Sequence, residues 1–311
     1  MTSYAITAVA SSKVNLHLGV GNARDDGYHE LVTVFQSLSL HDTITVTPAA
    51  DDMHDAEDQG IVATLSVSGN SAQAVPTDAT NLAWQAAENM YQAHRRNGGA
   101  PAKRVHIAID KGIPVAGGMA GGSADAAATL AAMAQYLGNT VTEQEILSIA
   151  AELGSDVPFT YLGDTRLGTG RGERLVPVLS RGTYHWALAF SAQGLSTPEV
   201  FRKIDQMDRQ PHLDVTALNA ALLTGDPHKV AAHLHNDLQA AALSLRPELR
   251  TILEQGRAAG ALAGIVSGSG PTCAFLCEDA ETAQAVAAEL SVHYRTAVAT
   301  GPVRGAHVKG H

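Results

Sequence analysis

Four glycines crowd one short segment of the chain. Gly117, Gly118, Gly121 and Gly122 lie in the run PVAGGMAGGSADAAA, from Pro114 to Ala128, just ahead of an alanine-rich stretch. Glycine lets a backbone approach a ligand closely and adopts positive φ without steric cost. A helix predicted to follow would begin with unpaired N–H groups and a partial positive charge. Together these features make a cradle for an anion, phosphate above all. Ser123 sits at the helix entry, where its hydroxyl can reach a phosphate or a magnesium ion. The run lacks the G-x-x-x-x-G-K-[ST] pattern, and no acidic residue at the required spacing supports a dinucleotide fold. On spacing alone, a flexible loop capped by a small-residue helix on a sheet is the alternative, and the less favoured one.

Two further places could do chemistry. Lys13, Asn15 and His17 stand at i, i+2 and i+4 of a predicted strand, so they project from one face while Val14, Leu16 and Leu18 project from the other. A polar face opposite an apolar one fits a strand lining a cleft; a solvated strand face is the bland alternative. Asp156 follows a helix stop in LGSDVPF. A turn or N-cap aspartate before Pro158 is its ordinary reading.

YAITAVASSKVNLHLGV alternates and is rich in β-branched residues, which predicts a strand. DDGYHEL marks a turn, and VTVFQSLSLHDTITVTP carries further strand signal. The acidic run 49–60 has no apolar period and reads as an exposed loop, with metal binding a weaker alternative. IVATLSVSG resumes strand character. A helix is expected at 81–96, with Leu82, Ala86, Ala87 and Met90 on one face, and then a strand that ends at Gly112. The alanine-rich helix should stop at Gly138. The next helix has capping-box spacing between Thr142 and Glu145 and a stop at Gly154. YLGDTRLGTGRGE then links two parts of the chain or lines a cleft, and the domain junction is placed near residue 165. Beyond it come strand YHWALAF, helical patterns around 198–205, 214–222, 227–240 and 246–259, strands AGIVSG and TCAFLC, a helix near 279–290 and strand RTAVAT. This order is that of a ferredoxin-like α+β layer. His233 and His235 would face different ways on a helix, which argues against a metal site there.

Composition narrows the classes of function. With 311 residues, 45% hydrophobic, the chain can bury cores for roughly two domains at about 150 residues each. Lysine and arginine total 21 against 31 acidic residues, a net charge of −10, so nucleic acid and anionic membrane are poor partners. The two cysteines, Cys273 and Cys277, exclude a disulfide scaffold and read as core thiols of one strand. The first residues lack a basic head followed by an apolar block, and the uncharged stretch 258–277 is broken by glycines and a proline. A soluble, cytoplasmic protein is expected.

The residues already quoted resemble a known family, the GHMP kinases. PVAGGMAGGSADAAA resembles that family's second motif, ASSKVNLHLGV its first, and SGSGPTCAFL its third, in the family's order. The resemblance implies an α+β, two-domain GHMP kinase fold: an N-terminal ribosomal-protein-S5-like ATP domain (1–165) and a C-terminal ferredoxin-like domain (166–311). It implies phosphoryl transfer from ATP, with Mg2+, to a small alcohol. Pro114, Gly117, Gly118, Gly121, Gly122 and Ser123 would bind the nucleotide phosphates, with Ser123 as the candidate Mg2+ ligand. Asp156 would be the base that takes the proton of the substrate hydroxyl, with Lys13 beside it as the second catalytic residue. Two departures stand out. Ala124 replaces the usual second serine, and Asp125 replaces a small polar residue; it either contacts the metal or favours the positive helix end.

Three strings narrow the alcohol. DGYHEL, GSDVPF and STPEVF resemble those members of the family that phosphorylate the 2-hydroxyl of 4-diphosphocytidyl-2-C-methyl-D-erythritol in isoprenoid precursor synthesis. A mevalonate or homoserine kinase is the alternative within the family. The resemblance carries Asn15, Tyr28, His29, Asp156, Thr197, Pro198 and Phe201 over as substrate-binding residues. The chemistry agrees: Tyr28 and Phe201 can stack on a cytosine, and His29 can hydrogen-bond its edge. A monomer or weak homodimer is expected, with small-molecule ligands and no nucleic-acid or membrane partner.

Overall fold

A computed structural model describes residues 5–23, 29–49, 60–70, 72–115 and 117–310. Tyr28 and the acidic residues 50–59 lie outside this set. Two long strands, β1 (Ile6–Ala23) and β2 (His29–Pro48), pair antiparallel and form the spine of the first sheet. β3 (Val62–Gly69) and β4 (Val105–Lys111) extend it on the β2 side. The hairpin β5 (Thr165–Thr169) and β6 (Arg174–Pro177) also joins β2. This sheet therefore continues to Pro177, past the expected junction near 165, and the second sheet begins at Tyr184. YLGDTRLGTGRGE supplies β5 and the turn of this hairpin, and, as expected, part of it lines a cleft, through Arg171.

The helices α1 (Leu82–Arg96), α2 (Gly121–Tyr136), α3 (Glu143–Leu153) and α4 (Val157–Leu162) accompany this sheet. α2 is apolar almost all round, with Ala124, Ala126, Ala127, Ala128 and Leu130 fully buried, so it can lie between the sheet and α1. Its alanines lose no side-chain entropy on burial and allow close approach. α3 starts with the expected capping box: Thr142 accepts from the Glu145 amide and Glu145 accepts from the Thr142 amide. Gly138 has φ +74°, and Gly154 follows α3 as expected.

The second sheet comprises β7 (Tyr184–Phe190), β9 (Ala263–Val266), β10 (Cys273–Cys277) and β11 (Arg295–Gly301), in the order β11-β7-β10-β9 and antiparallel throughout. That order is ferredoxin-like. Alternation divides it between two cores. Tyr184, Trp186, Leu188, Ala274 and Leu276 join the core of the first sheet, while Ala187, Ala189, Cys273, Phe275 and Cys277 join a core of helices. Those helices are α5 (Thr197–Ile204), α8 (Gln239–Leu245), α9 (Glu248–Ala258) and α10 (Ala280–Leu290). α6 (Thr216–Thr224) and α7 (Pro227–Ala231) pack toward the first core. Both thiols are buried core groups, and burial raises both pKa values, that of Cys277 to about 11.

Two local expectations need correction. The helix expected over 227–240 is broken by β8 (His235–Asn236), which pairs parallel to His17 and Leu18 of β1. The Asn236 amide donates to the carbonyls of Val266 and Gly268, which holds this segment extended. The second correction is a β-bulge between Asn15 and His17. A bulge adds one residue to one strand and reverses the alternation beyond it. Lys13 and Asn15 face the cleft as expected, but Leu18 takes the cleft side and His17 packs, with tilted rings, against His212 and His235. The last short strand, β12 (His307–Val308), pairs with β1 at Ala8 and Val9.

Candidate active site

β4 delivers the chain into the glycine run. Gly118 has φ +71°, and a Cβ there would stand 2.4 Å from the Ser267 carbonyl. Only glycine meets both conditions. Ala120 also has positive φ, 60°, a conformation that costs a non-glycine residue on the order of 1 kcal/mol. The first intrahelical bond of α2 runs from the Ala124 amide to the Ala120 carbonyl, so the amides of Gly121, Gly122 and Ser123 have no acceptor within the helix. Gly117, Gly118, Gly121 and Gly122 line a cavity of about 340 Å3. Pro114 is buried behind the loop and Ser123 is half-buried; neither lines this cavity nor the two beside it.

Lys13 and Asp156 meet in the same cavity, with Nζ 3.9 Å from Oδ2. Lys13 is held by a relay of side chains. Its ammonium donates to Asn15 Oδ1 (2.7 Å), the Asn15 amide donates to Thr33 Oγ1 (2.8 Å), and Thr33 donates to the His17 carbonyl (2.7 Å). The ammonium also lies 5.7 Å from the centre of the Phe35 ring. Burial lowers the Lys13 pKa, and the charge of Asp156 opposes that shift. Asp156 occupies the N-cap position of α4 but makes no side-chain cap bond; its carboxylate is turned to Lys13 and is 31% exposed. The geometry thus offers a partly open carboxylate beside a dry ammonium, facing a helix start rich in free amides.

A second cavity, of about 640 Å3, opens from the first. His29, Thr197, Pro198 and Phe201 line it. The His29 and Phe201 rings lie 5.1 Å apart at 36°. His29 Nε2 is hydrogen-bonded to Asp205 at 2.7 Å. Thr197 Oγ1 meets Ser269 Oγ at 2.7 Å, and so ties α5 to the third motif. That motif also grips the glycine loop, since Ser267 donates to the Gly118 carbonyl at 3.1 Å. Asn15, Thr197 and Phe201 line the first cavity, so most of the sequence-predicted residues within the described set converge on one cleft, while Pro114 and Ser123 are not among its lining residues.

A third cavity, of about 190 Å3, lies on the other side of Gly121 and Gly122 and is walled by Val75, Pro76, Leu82 and Val115. At its edge is a cluster that sequence reasoning missed. Lys111 Nζ donates to Asp42 Oδ2 (2.5 Å), Asp125 Oδ2 (2.7 Å) and the Gly121 carbonyl (3.2 Å). Asp42 Oδ1 accepts from the amides of Gly112 and Ile113, both at 2.8 Å. One cation therefore serves two buried carboxylates. Burial, with Asp42 adding to it, pushes the Asp125 pKa up to about 8 against the pull of Lys111. Asp125 is thus part of the loop's buried anchor, and its Oδ1 has no hydrogen-bond partner. A signal was present in the sequence: Val105, Ile107 and Ile109 alternate inward, which puts Lys111 on the buried face.

The sequence matches the family models for the GHMP kinases N terminal domain over residues 81–164 and the GHMP kinases C terminal region over 218–296. A 4-diphosphocytidyl-2-C-methyl-D-erythritol kinase of Corynebacterium diphtheriae is 98% identical over 311 residues, covering 100% of both chains. Its counterpart in Corynebacterium glutamicum (strain R) is 54% identical over 312 residues, covering 97% of this chain and 98% of its own. A crystal structure of 4-(cytidine 5'-diphospho)-2C-methyl-D-erythritol kinase has a TM-score of 0.78 and 32% identity, covering 96% of this chain and 100% of that one. The chain belongs to the GHMP kinase family, in its 4-diphosphocytidyl-2-C-methyl-D-erythritol kinase branch.

Proposed function

We propose that this chain transfers the terminal phosphoryl group of ATP to the 2-hydroxyl of 4-diphosphocytidyl-2-C-methyl-D-erythritol, a step of isoprenoid precursor synthesis. The observation that carries this reading is the Lys13–Asp156 pair in a cleft bounded by the start of α2 on one side and the His29–Phe201 wall on the other. The 98% identity to a named kinase of this kind supports the choice of substrate.

Asp156 accepts the proton of the attacking hydroxyl. Lys13 faces it and stabilises the charge that develops on the alkoxide and the transferred group. At about 4 Å and an effective dielectric of about 20, such a pair interacts by roughly 4 kcal/mol before desolvation is counted. The amides of Gly121, Gly122 and Ser123 hold the phosphates at the positive end of α2. Adenine enters the third cavity, because Gly121 and Gly122 line both that cavity and the phosphate side.

Phe201 stacks on the cytosine. With Nε2–H of His29 donated to Asp205, Nδ1 becomes an acceptor, suited to the exocyclic amine of cytosine. The described residues hold no group of three or more metal-ligating side chains. Ser123, in the first turn of α2, would supply one hydroxyl to Mg2+ arriving with the nucleotide, since that ion keeps water and phosphate oxygens as most of its ligands. When bound, it neutralises charge on the transferred phosphoryl group.

The described residues of this cleft come from one chain, which fits a monomer or a weak homodimer. Among the described residues no helix is long and apolar enough to cross a membrane. With two water-soluble anionic substrates, the enzyme works in the cytoplasm.

The test is ADP release in a coupled assay with the diphosphocytidyl substrate, run beside mevalonate and homoserine, with and without a chelator. Turnover is expected with the first alcohol alone and only with magnesium present. Equal turnover with mevalonate or homoserine would sink the substrate assignment; full activity in chelator would sink the metal requirement.

A further inference from the structure

The substrate read for this cleft carries a diphosphate between its cytidine and the alcohol that reacts. With cytosine at His29 and Phe201 and the hydroxyl at Asp156, that diphosphate must cross the passage between the two cavities. Among the described residues, five line both cavities: Leu31, Ser155, Arg171, Thr197 and Phe201. Arg171 is the sole charged side chain among them. Lys13 lines only the inner cavity and Arg202 only the outer one.

The backbone holds Arg171 at this passage. It sits at the tip of the β5–β6 hairpin between Gly170 (φ +73°) and Gly172 (φ +102°), whose left-handed conformations make the tight turn. Its amide donates to Glu173 Oε2 at 2.7 Å. The Gly170 amide donates to Glu30 Oε1 at 3.1 Å, and the Gly170 carbonyl accepts from the Leu31 amide at 2.8 Å. The tip is therefore fastened to the start of β2, beside His29. Arg171 is exposed, so it stands where a ligand arrives.

Charge supplies the reason a cation is needed there. The chain is −10 overall, and Asp156 and Asp205 stand at either end of the passage. A diphosphate would meet repulsion from both unless a local positive group offset it. The planar guanidinium fork matches phosphate oxygens and stays charged at any pH the enzyme meets.

We propose that Arg171 binds the diphosphate of the substrate and so selects cytidine diphosphate compounds over uncharged cytidine derivatives. The proposal rests on the reading of the cleft given under Proposed function. Direct binding of CDP and of cytidine to the wild type and to Arg171→Gln, by calorimetry, tests it together with steady-state kinetics. In the variant, CDP affinity is expected to fall on the order of 10- to 100-fold, as for the loss of a charge-assisted hydrogen bond. Cytidine affinity and the KM for ATP should change less than about twofold. Arg171→Lys, which keeps the charge without the fork, should recover part of the loss. Equal CDP affinity in wild type and Arg171→Gln overturns the proposal. So does a parallel loss of cytidine affinity, the mark of a hairpin tip that only shapes the wall. A wild type that binds neither CDP nor cytidine would instead overturn the cytidine reading of the cleft.

Discussion

Asp156 sits where an ordinary helix cap would sit, yet its carboxylate faces an ammonium rather than the helix amides. A capping aspartate would stabilise α4; this one leaves the cap unmade and keeps an oxygen available to a proton. Removing a positioned base usually costs about 10² to 10⁴ in rate. Asp156→Asn should therefore lose turnover to that extent while nucleotide affinity, read by equilibrium binding of an ATP analogue, stays within about threefold. Near-normal turnover would remove Asp156 from the base role. Asn15 and Thr33 hold Lys13 by hydrogen bonds, and Asn15 lines the cleft as well. The place of Lys13 and Asn15 in the cleft was legible from the run ASSKVNLHLGV, and that of Asp156 from GSDVPF. Lys111 was not singled out, since its role depends on Asp42, which is far off in the sequence and next to it in space.

At the level of elements, the glycines of the phosphate loop divide by what surrounds them. Gly118 has positive φ and the Ser267 carbonyl 2.4 Å from the place of a Cβ; a Cβ on Gly122 would meet only Leu82 Cδ1, at 3.7 Å. Gly118→Ala should therefore cost about 1–3 kcal/mol of stability and displace the loop, with a raised KM for ATP. Gly122→Ala should unfold within about 0.5 kcal/mol of the wild type. Thermal or denaturant unfolding of the pair checks this; equal stability of the two variants would contradict it. Local rules read the elements well wherever local chemistry decides them. The capping box at Thr142 and the turn at Gly138 need nothing from the rest of the chain. The bulge after Asn15 and the strand at His235 do. One re-aims a face of β1, and the other exists because the Asn236 side chain binds carbonyls thirty or so residues away, so neither leaves a periodic trace.

For the molecule as a whole, three histidines gather where the segments meet. His17 of β1, His235 of β8 and His212 of the loop before α6 have ring centroids 4.4 to 5.6 Å apart. Arg209, Asp214 and Asp237 surround them; Asp237 accepts from the His212 amide and pairs with His235. Burial lowers the His17 pKa below its ordinary 6.5, and the other two rings add to the effect. The unfolded chain then takes up a proton on His17 before the native one does. Native stability is thus fully present above the unfolded value and falls as pH drops below about 6.5. Tm should decline from about pH 7 to pH 5.5, and His17→Gln should flatten that decline. An unchanged slope in the variant would place the titration elsewhere.

β1 is also where distant parts of the chain return. β8 runs beside it at His17 and Leu18, and β12 beside it at Ala8 and Val9, in addition to the covalent passage from Pro177 to Tyr184. The two halves are laced rather than hinged. A wide jaw-like opening would have to unzip one of those ladders, so substrates must thread a gap of nearly constant width.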